Sequence, residues 1–135
     1  MNKIIQDIIT LKKSRNLVED DATNEKQHLW YDFALKNGLV IVLYQGNELL
    51  GFLEFVRLSE PPKVYDDIYK DKSNYVDGNT CFVSNCIADN SNTLWQLKRK
   101  LLDMNKDISY YVWHRKKNDR LLSFKNIRRI KCTNF

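Results

Sequence analysis

Apolar residues near the start of the chain fall at helical spacing. Ile4, Ile5, Ile8, Ile9 and Leu11 form one stripe with Lys3, Gln6, Asp7, Lys12 and Lys13 between them, which predicts an amphipathic helix over residues 3–14. The acidic turn Glu19-Asp20-Asp21 separates it from a second helical pattern. There Asn24 with Gln27 three positions on has the form of a capping box, Leu29, Trp30, Phe33 and Ala34 supply an apolar face, and Gly38 suits the left-handed position after a helix, so a helix is expected over 25–37. The period then changes from helix to strand. Leu39 to Tyr44 is an unbroken aliphatic run, Gly46-Asn47 is a hairpin signal, and Leu49 to Leu58 is a second run, which together predict two antiparallel strands. A strand apolar at every position is covered on both faces, so helices are expected on both sides of the sheet. Pro61-Pro62 ends the second strand because proline cannot donate to a ladder.

Lys63 to Gly78 reads as a polar connection dotted with Tyr65, Ile68, Tyr69 and Tyr75, with room for a short helix. Thr80 to Ala88 is a third strand, and the polar turn Asp89-Asn90-Ser91-Asn92-Thr93 leads into Leu94, Leu97, Leu101 and Met104 at three- and four-residue spacing. A helix over 92–104 is expected, with Lys98, Arg99 and Lys100 facing away from the core. Ile108 to Trp113 predicts a fourth strand, and a short helix is expected around Asp119–Lys125. No repeat, low-complexity tract or linker interrupts the order. The fold class is α/β (α+β), a mixed and largely antiparallel sheet flanked by helices, in a single domain over residues 1–135.

Composition agrees with one core: 135 residues, 43% hydrophobic and 12% aromatic. No run of about 18 uncharged apolar residues occurs and the N-terminus mixes Ile with Asn, Lys, Gln and Asp, so neither a membrane span nor a secretory leader is expected. A cytoplasmic location follows. Heavy use of Lys, Asn and Ile is the coding habit of AT-rich genomes such as those of some bacteria and their phages. Cys81, Cys86 and Cys132 cannot all pair; Cys81 and Cys86, five apart in one strand, fall on opposite faces and read as free thiols. His28 and His114 are too far apart to give zinc spacing, so no metal is expected.

The net charge of +5 is concentrated at the C-terminal end. Arg115, Lys116, Lys117, Arg120, Lys125, Arg128, Arg129 and Lys131 face Asp119 alone, which leaves the preceding chain mildly acidic. Such a segment binds nucleic acid, an acidic protein partner or phosphate, or serves as a solvated face. Arg115, Lys116, Lys117, Arg120 and Arg128 are the candidate partner-binding residues; Trp113, Phe124 and Phe135 are too sparse for a base-stacking platform.

Few residues carry chemistry. A strand that stops at Asp89 and restarts as a helix exposes backbone N–H groups to an anion. Glu54, in the apolar strand Leu49 to Val56, is either a base facing a cleft or an outward-facing residue of an alternating strand. Tyr110 and Tyr111 fall on opposite faces, so one belongs to the core while the other lines a cleft and acts as a general acid or packs. His28 is either a base or a helix-surface histidine.

The order helix, helix, hairpin, long loop, strand, turn, helix, strand, basic turn resembles the N-acetyltransferase (GNAT) superfamily over roughly residues 25–125. The resemblance implies that the strand at Cys81–Ala88 splays from the one at Ser109–Trp113 with an acyl-coenzyme A, acetyl-CoA among them, in the gap. Its pyrophosphate would rest on the turn at Asp89–Thr93. Ile87, Ala88, Asn90, Ser91, Asn92 and Thr93 are therefore the candidate cofactor-binding residues. Typical members carry Q/R-x-x-G-x-G/A at that turn, where this chain has Asp89-Asn90-Ser91-Asn92-Thr93-Leu94 and no glycine. Phe82 to Ala88 is similar in outline to the strand of toxin-activating lysine acyltransferases, which draw on an acyl carrier protein; Asn85 matches their catalytic Asp and His28 their catalytic His. The run Trp113-His114-Arg115-Lys116-Lys117 is similar to that of short GNAT-like phage proteins. The catalytic candidates are thus Glu54, Asn85, Tyr111 and His28. The expected function is acyl transfer from coenzyme A or an acyl carrier to an amine. The alternative is a non-catalytic phage or mobile-element protein that binds a protein or nucleic acid through its basic end.

Overall fold

The computed structural model describes residues 2–15, 24–71, 75–115 and 120–124. Helix α1 (Lys3–Ser14) is capped by Asn2, whose side chain accepts the Ile4 N–H. Its buried stripe is Ile5, Ile8, Ile9 and Lys12. Lys12 thus lies on the inner face rather than the polar one, because at 3.6 residues per turn position 12 follows 5, 8 and 9. Helix α2 (Asn24–Lys36) ends as expected at Gly38, with φ at +69°. Its inner face is Gln27, Tyr31 and Ala34, while Leu29 is 67% exposed and Phe33 is also exposed. The expected face was rotated by one residue, since Leu29 and Phe33 share a line that Tyr31 does not.

Strands β1 (Val40–Gln45) and β2 (Glu48–Leu58) form the hairpin, closed by Gly46 at φ +60°. Helix α3 (Tyr65–Tyr69) sits in the polar connection. Strand β3 (Thr80–Ala88), helix α4 (Ser91–Met104) and strand β4 (Tyr110–Arg115) follow in the expected order. Residues 120–124, expected as a short helix, form a strand, β5 (Arg120–Phe124), antiparallel to β4. A five-residue segment has little helical stability of its own, and the free edge of β4 offers it a full ladder.

The sheet runs in the order β1-β2-β3-β4-β5. Every neighbouring pair is antiparallel except β3 and β4, whose parallel pairing needs a crossover, made by α4. Residues Gly51, Leu53, Phe55 and Arg57 alternate along one face of β2. A Cβ on Gly51 would meet the Thr93 side chain, which places α4 over that face. Glu54 turns to the opposite face, where α2 lies. Leu94, Leu97, Lys98 and Leu101 are the buried face of α4. Lys98 is therefore inside, four residues after Leu94, and Met104, expected inside, is 58% exposed. Burial of side chains such as Leu97 and Leu101, each fully enclosed, contributes about 1.5–3 kcal/mol apiece. No helix among the described residues is long and apolar enough to cross a membrane.

Arg57 ties two segments to the rim of the sheet, the approach to β3 and the turn after α4. Its guanidinium donates to Gly78 O at 2.7 Å and to Asn105 Oδ1 at 3.4 Å, and it pairs with Asp107. The turn after α4 is thereby fixed where β4 begins.

Candidate functional site

Two irregularities in the sheet meet at one place. The β2–β3 register shifts between Glu54 and Phe55: Phe55 faces Val83, but Glu54 faces Asn85, so Ser84 is an extra residue on β3. This is a β-bulge, which bends the bulged strand and increases its twist. On the other side of β3, pairing with β4 runs from Thr80↔Tyr110 to Val83↔Trp113 and stops there. Residues 84–88 stay paired to β2 while β4 continues to Arg115 against β5, so the two parallel strands part where the bulge lies.

The bulge also changes side-chain order. Asn85 now stands beside Glu54 on the α2 face, and Cys86 falls opposite Leu53, on the same face as Cys81 opposite Arg57. The expectation that five-residue spacing separates the two cysteines fails because Ser84 resets the alternation. Neither is in a disulfide, and burial pushes the thiol of Cys81 far above the ordinary range.

Glu54 is 2% exposed and is not an outward-facing residue. Its Oε2 accepts from Trp30 Nε1 at 2.8 Å, and its Oε1 accepts from the Tyr31 hydroxyl at 3.2 Å and from Asn85 Nδ2. The Tyr31 hydroxyl in turn accepts from Lys12 Nζ at 3.1 Å, with the ammonium 5.4 Å from the ring centroid. Four elements, α1, α2, β2 and β3, thus meet in one buried polar chain. A buried carboxylate without such donors would be strongly destabilising. The placement of Glu54 in an apolar strand, and of Lys12 on the apolar stripe, was the sequence signal for this chain; Trp30 and Tyr31 carried none.

The strand-to-helix turn closes on itself. Asn90, extended at φ −160°, caps α4 by accepting the Thr93 N–H on Oδ1 at 2.9 Å, and its carbonyl accepts the Leu94 N–H at 3.1 Å. The Thr93 hydroxyl donates to the Asp89 carboxylate. Of the backbone donors expected to be open, those of Thr93 and Leu94 are occupied. Ser91 and Asn92, both exposed, supply the remaining N–H groups of the first turn. Ile87 and Ala88 are fully buried and can offer a ligand only their backbone edge.

The other candidates lie elsewhere. Tyr111 is 4% exposed within the core opposite Cys81, and its hydroxyl is pushed up by burial first, with Cys81 and Asp107 adding to it. It is the core member of the Tyr110–Tyr111 pair and does not line the opening. His28, half-buried, stands 3.4 Å from Gln6 Nε2 between α1 and α2, apart from Asn85. Arg115 and Arg120 face each other in the β4–β5 register; Lys116, Lys117 and Arg128 lie outside the described residues. An open hollow of about 580 Å³ beside α3 is separate from all of these, and its Asp67 and Asp71 already accept backbone N–H groups. No group of three His, Cys, Asp or Glu suited to a metal ion occurs among the described residues.

A mostly antiparallel sheet with one parallel pair, parting beside the N-terminus of the crossover helix, is a GNAT-like fold. Among solved structures the chain is similar to the crystal structure of a predicted acetyltransferase with acetyl-CoA from Clostridium acetobutylicum. The TM-score is 0.53 at 11% sequence identity, over 87% of this chain and 75% of that one. No protein-family model and no curated protein matches the sequence. The likeness is therefore one of fold, and function has to be argued from the site.

Proposed function

We propose that the protein is a divergent acyltransferase that moves an acyl group from coenzyme A or an acyl carrier to an amine. The observation that carries this reading is the parting of β3 from β4 after Val83↔Trp113 in a GNAT-like fold. Beyond that point residues 84–88 no longer pair with β4, and an extended arm bearing amides, such as pantetheine, binds a strand edge as an added strand does. At the far end of that edge the Ser91 and Asn92 N–H groups and the α4 dipole receive phosphate. The amine nitrogen attacks the thioester carbonyl carbon; the C–N bond forms, the C–S bond breaks, the sulfur leaves as thiolate, and the proton that the nitrogen gives up passes through solvent to that thiolate, yielding amide and free thiol. The protein contributes chiefly by holding donor and amine together. Acyl-CoA is the cofactor-substrate this implies, and no metal enters the step.

Two features of the turn favour a second reading, a non-catalytic phage or mobile-element protein that keeps the scaffold and binds a protein or nucleic acid through Arg115, Lys116, Lys117, Arg120 and Arg128. The Asn90 cap competes for the Thr93 N–H, and Asp89 sets a negative charge beside the phosphate position. Thermal-shift titration with acetyl-CoA separates the two. Donor binding raises the melting temperature by linkage, about 2.7 kcal/mol of stabilisation at a hundredfold excess over the Kd. Absence of any shift at millimolar acetyl-CoA rejects acyl transfer from coenzyme A and leaves transfer from an acyl carrier or the binding scaffold.

A further inference from the structure

The polar chain through Glu54 has a direction at every link. The Lys12 ammonium has donors only, so the Tyr31 hydroxyl receives it on a lone pair and gives its own proton to Glu54 Oε1. Trp30 Nε1 is likewise only a donor, toward Oε2. The Asn85 amide meets Oε1 through its nitrogen, which turns its oxygen the other way. That oxygen has no partner among the described residues, and no enclosed side-chain nitrogen or oxygen of those residues lacks one, so Asn85 Oδ1 faces solvent. It does so two residues past Val83, on the stretch of β3 that β4 has left. Glu54 itself, enclosed and with both oxygens occupied, does not reach a substrate.

Resting on the acyl-transfer reading, we propose that Asn85 Oδ1 orients the amine acceptor by taking an N–H from its nitrogen, and that Glu54 is the positioning residue that keeps the amide oxygen, rather than its nitrogen, toward the opening. The site selects a nitrogen that still carries hydrogen, because an amide oxygen has nothing to offer a fully substituted one.

The direction of the chain makes the role of Glu54 testable. In Glu54→Gln, Trp30 still demands an acceptor at the Oε2 position, so the new amide places its NH₂ at the Oε1 position. Asn85 must then turn its oxygen inward to accept from it, and an NH₂ faces the opening. Adding Asn85→Asp to Glu54→Gln restores an outward oxygen, since a carboxylate accepts at both ends.

The probes are n-butylamine and butyltrimethylammonium, equal in charge and differing in N–H, titrated at millimolar concentration into ¹⁵N-labelled protein. Signals followed are the Trp30 indole N–H and, where present, the Asn85 side-chain amide. Butylamine is expected to move both signals and butyltrimethylammonium neither. Glu54→Gln should weaken butylamine binding by roughly tenfold or more, the worth of one hydrogen bond lost and a donor turned toward a donor; the double variant should recover it. Asn85→Ala, which leaves Trp30 and Tyr31 on Glu54, should abolish the indole response and serves if Glu54→Gln fails to fold. Equal response to both probes, response to neither, or undiminished binding in Glu54→Gln or Asn85→Ala overturns the assignment. Acetyl-CoA is titrated into the unsubstituted protein alongside. A donor shift without an amine response overturns the Asn85 assignment alone, and an amine response without a donor shift overturns acyl transfer from coenzyme A alone.

Discussion

The cap on α4 sets how well the turn can hold a phosphate, and Asn90 is where that is tested. Its side chain makes one contact at issue, the 2.9 Å bond from the Thr93 N–H to Oδ1; the Leu94 N–H goes to the Asn90 carbonyl and survives any substitution. The residue is extended, at φ −160° and ψ 177°, so neither alanine nor glycine meets backbone strain there. Loss of a side-chain cap costs about 1 kcal/mol for Asn90→Ala and a few tenths for Asn90→Gly. At this chain length that lowers the melting temperature by roughly 3–5 °C and 1–2 °C respectively. Both variants free the same N–H. A phosphate that uses the Thr93 N–H must displace the cap in the native protein and need not in the variants, so the acetyl-CoA affinity should rise by about fivefold in Asn90→Ala, the equivalent of the roughly 1 kcal/mol cap, and by a smaller factor in Asn90→Gly. Calorimetric titration of the three proteins measures it, with the ligand-free melting temperature as a check that the cap was lost. Unchanged or weaker affinity in both variants, with melting temperatures lowered as expected, would refute the placement of phosphate on this turn.

Two further outcomes follow from the frame around the site. A Cβ on Gly78 would stand 1.9 Å from Leu58 O and 2.1 Å from Leu58 C, both backbone atoms that cannot rotate away, so Gly78→Ala should destabilise by more than about 3 kcal/mol; a urea midpoint matching the native protein would contradict the close approach. In acid, Asp107 is held below its ordinary 3.8 by Arg57, and Asp67 and Asp7 are held below theirs by backbone and by Lys3 and Tyr44 hydrogen bonds. The unfolded chain takes up these protons at higher pH than the folded one, so the stability they contribute is complete above about pH 4 and is lost as pH falls through the lower folded values. Asp107→Asn should flatten that part of the decline in urea midpoint below about pH 4, and an unaltered acid limb would rule out the Arg57 pair as its source.

Elements whose apolar residues repeat at one period were legible in the sequence. The spacing of Leu94, Leu97 and Leu101 gave α4, the run to Tyr44 with Gly46-Asn47 gave the hairpin, and Gly38 marked a turn that does take positive φ. Failure came where a partner decides the structure. Residues 120–124 have no strong pattern, and the open edge of β4 makes them a strand. Polarity marks Lys12 and Lys98 as surface charges, whereas helical position puts both inside.

The site shows why its geometry was not legible. With unbroken register, Phe55↔Val83 would bring Glu54 opposite Ser84 and leave Asn85 on the other face of β3. One inserted residue replaces a hydroxyl beside the buried carboxylate with an amide, which holds Glu54 with its nitrogen and presents its oxygen as an acceptor on the side away from it. Polarity does not encode that insertion, because Ser84, Asn85 and Cys86 read as the same mildly polar stretch in either register. The bulge is held through Glu54: Lys12 fixes Tyr31, Tyr31 and Trp30 fix the Glu54 carboxylate, that carboxylate takes Asn85 as its partner, and the Ser84 hydroxyl donates to the Glu54 carbonyl. The parting of β3 from β4 coincides with where a carboxylate is placed on β2, and the chain of donors behind Glu54 is as much a part of the candidate site as the strand edge that β4 leaves.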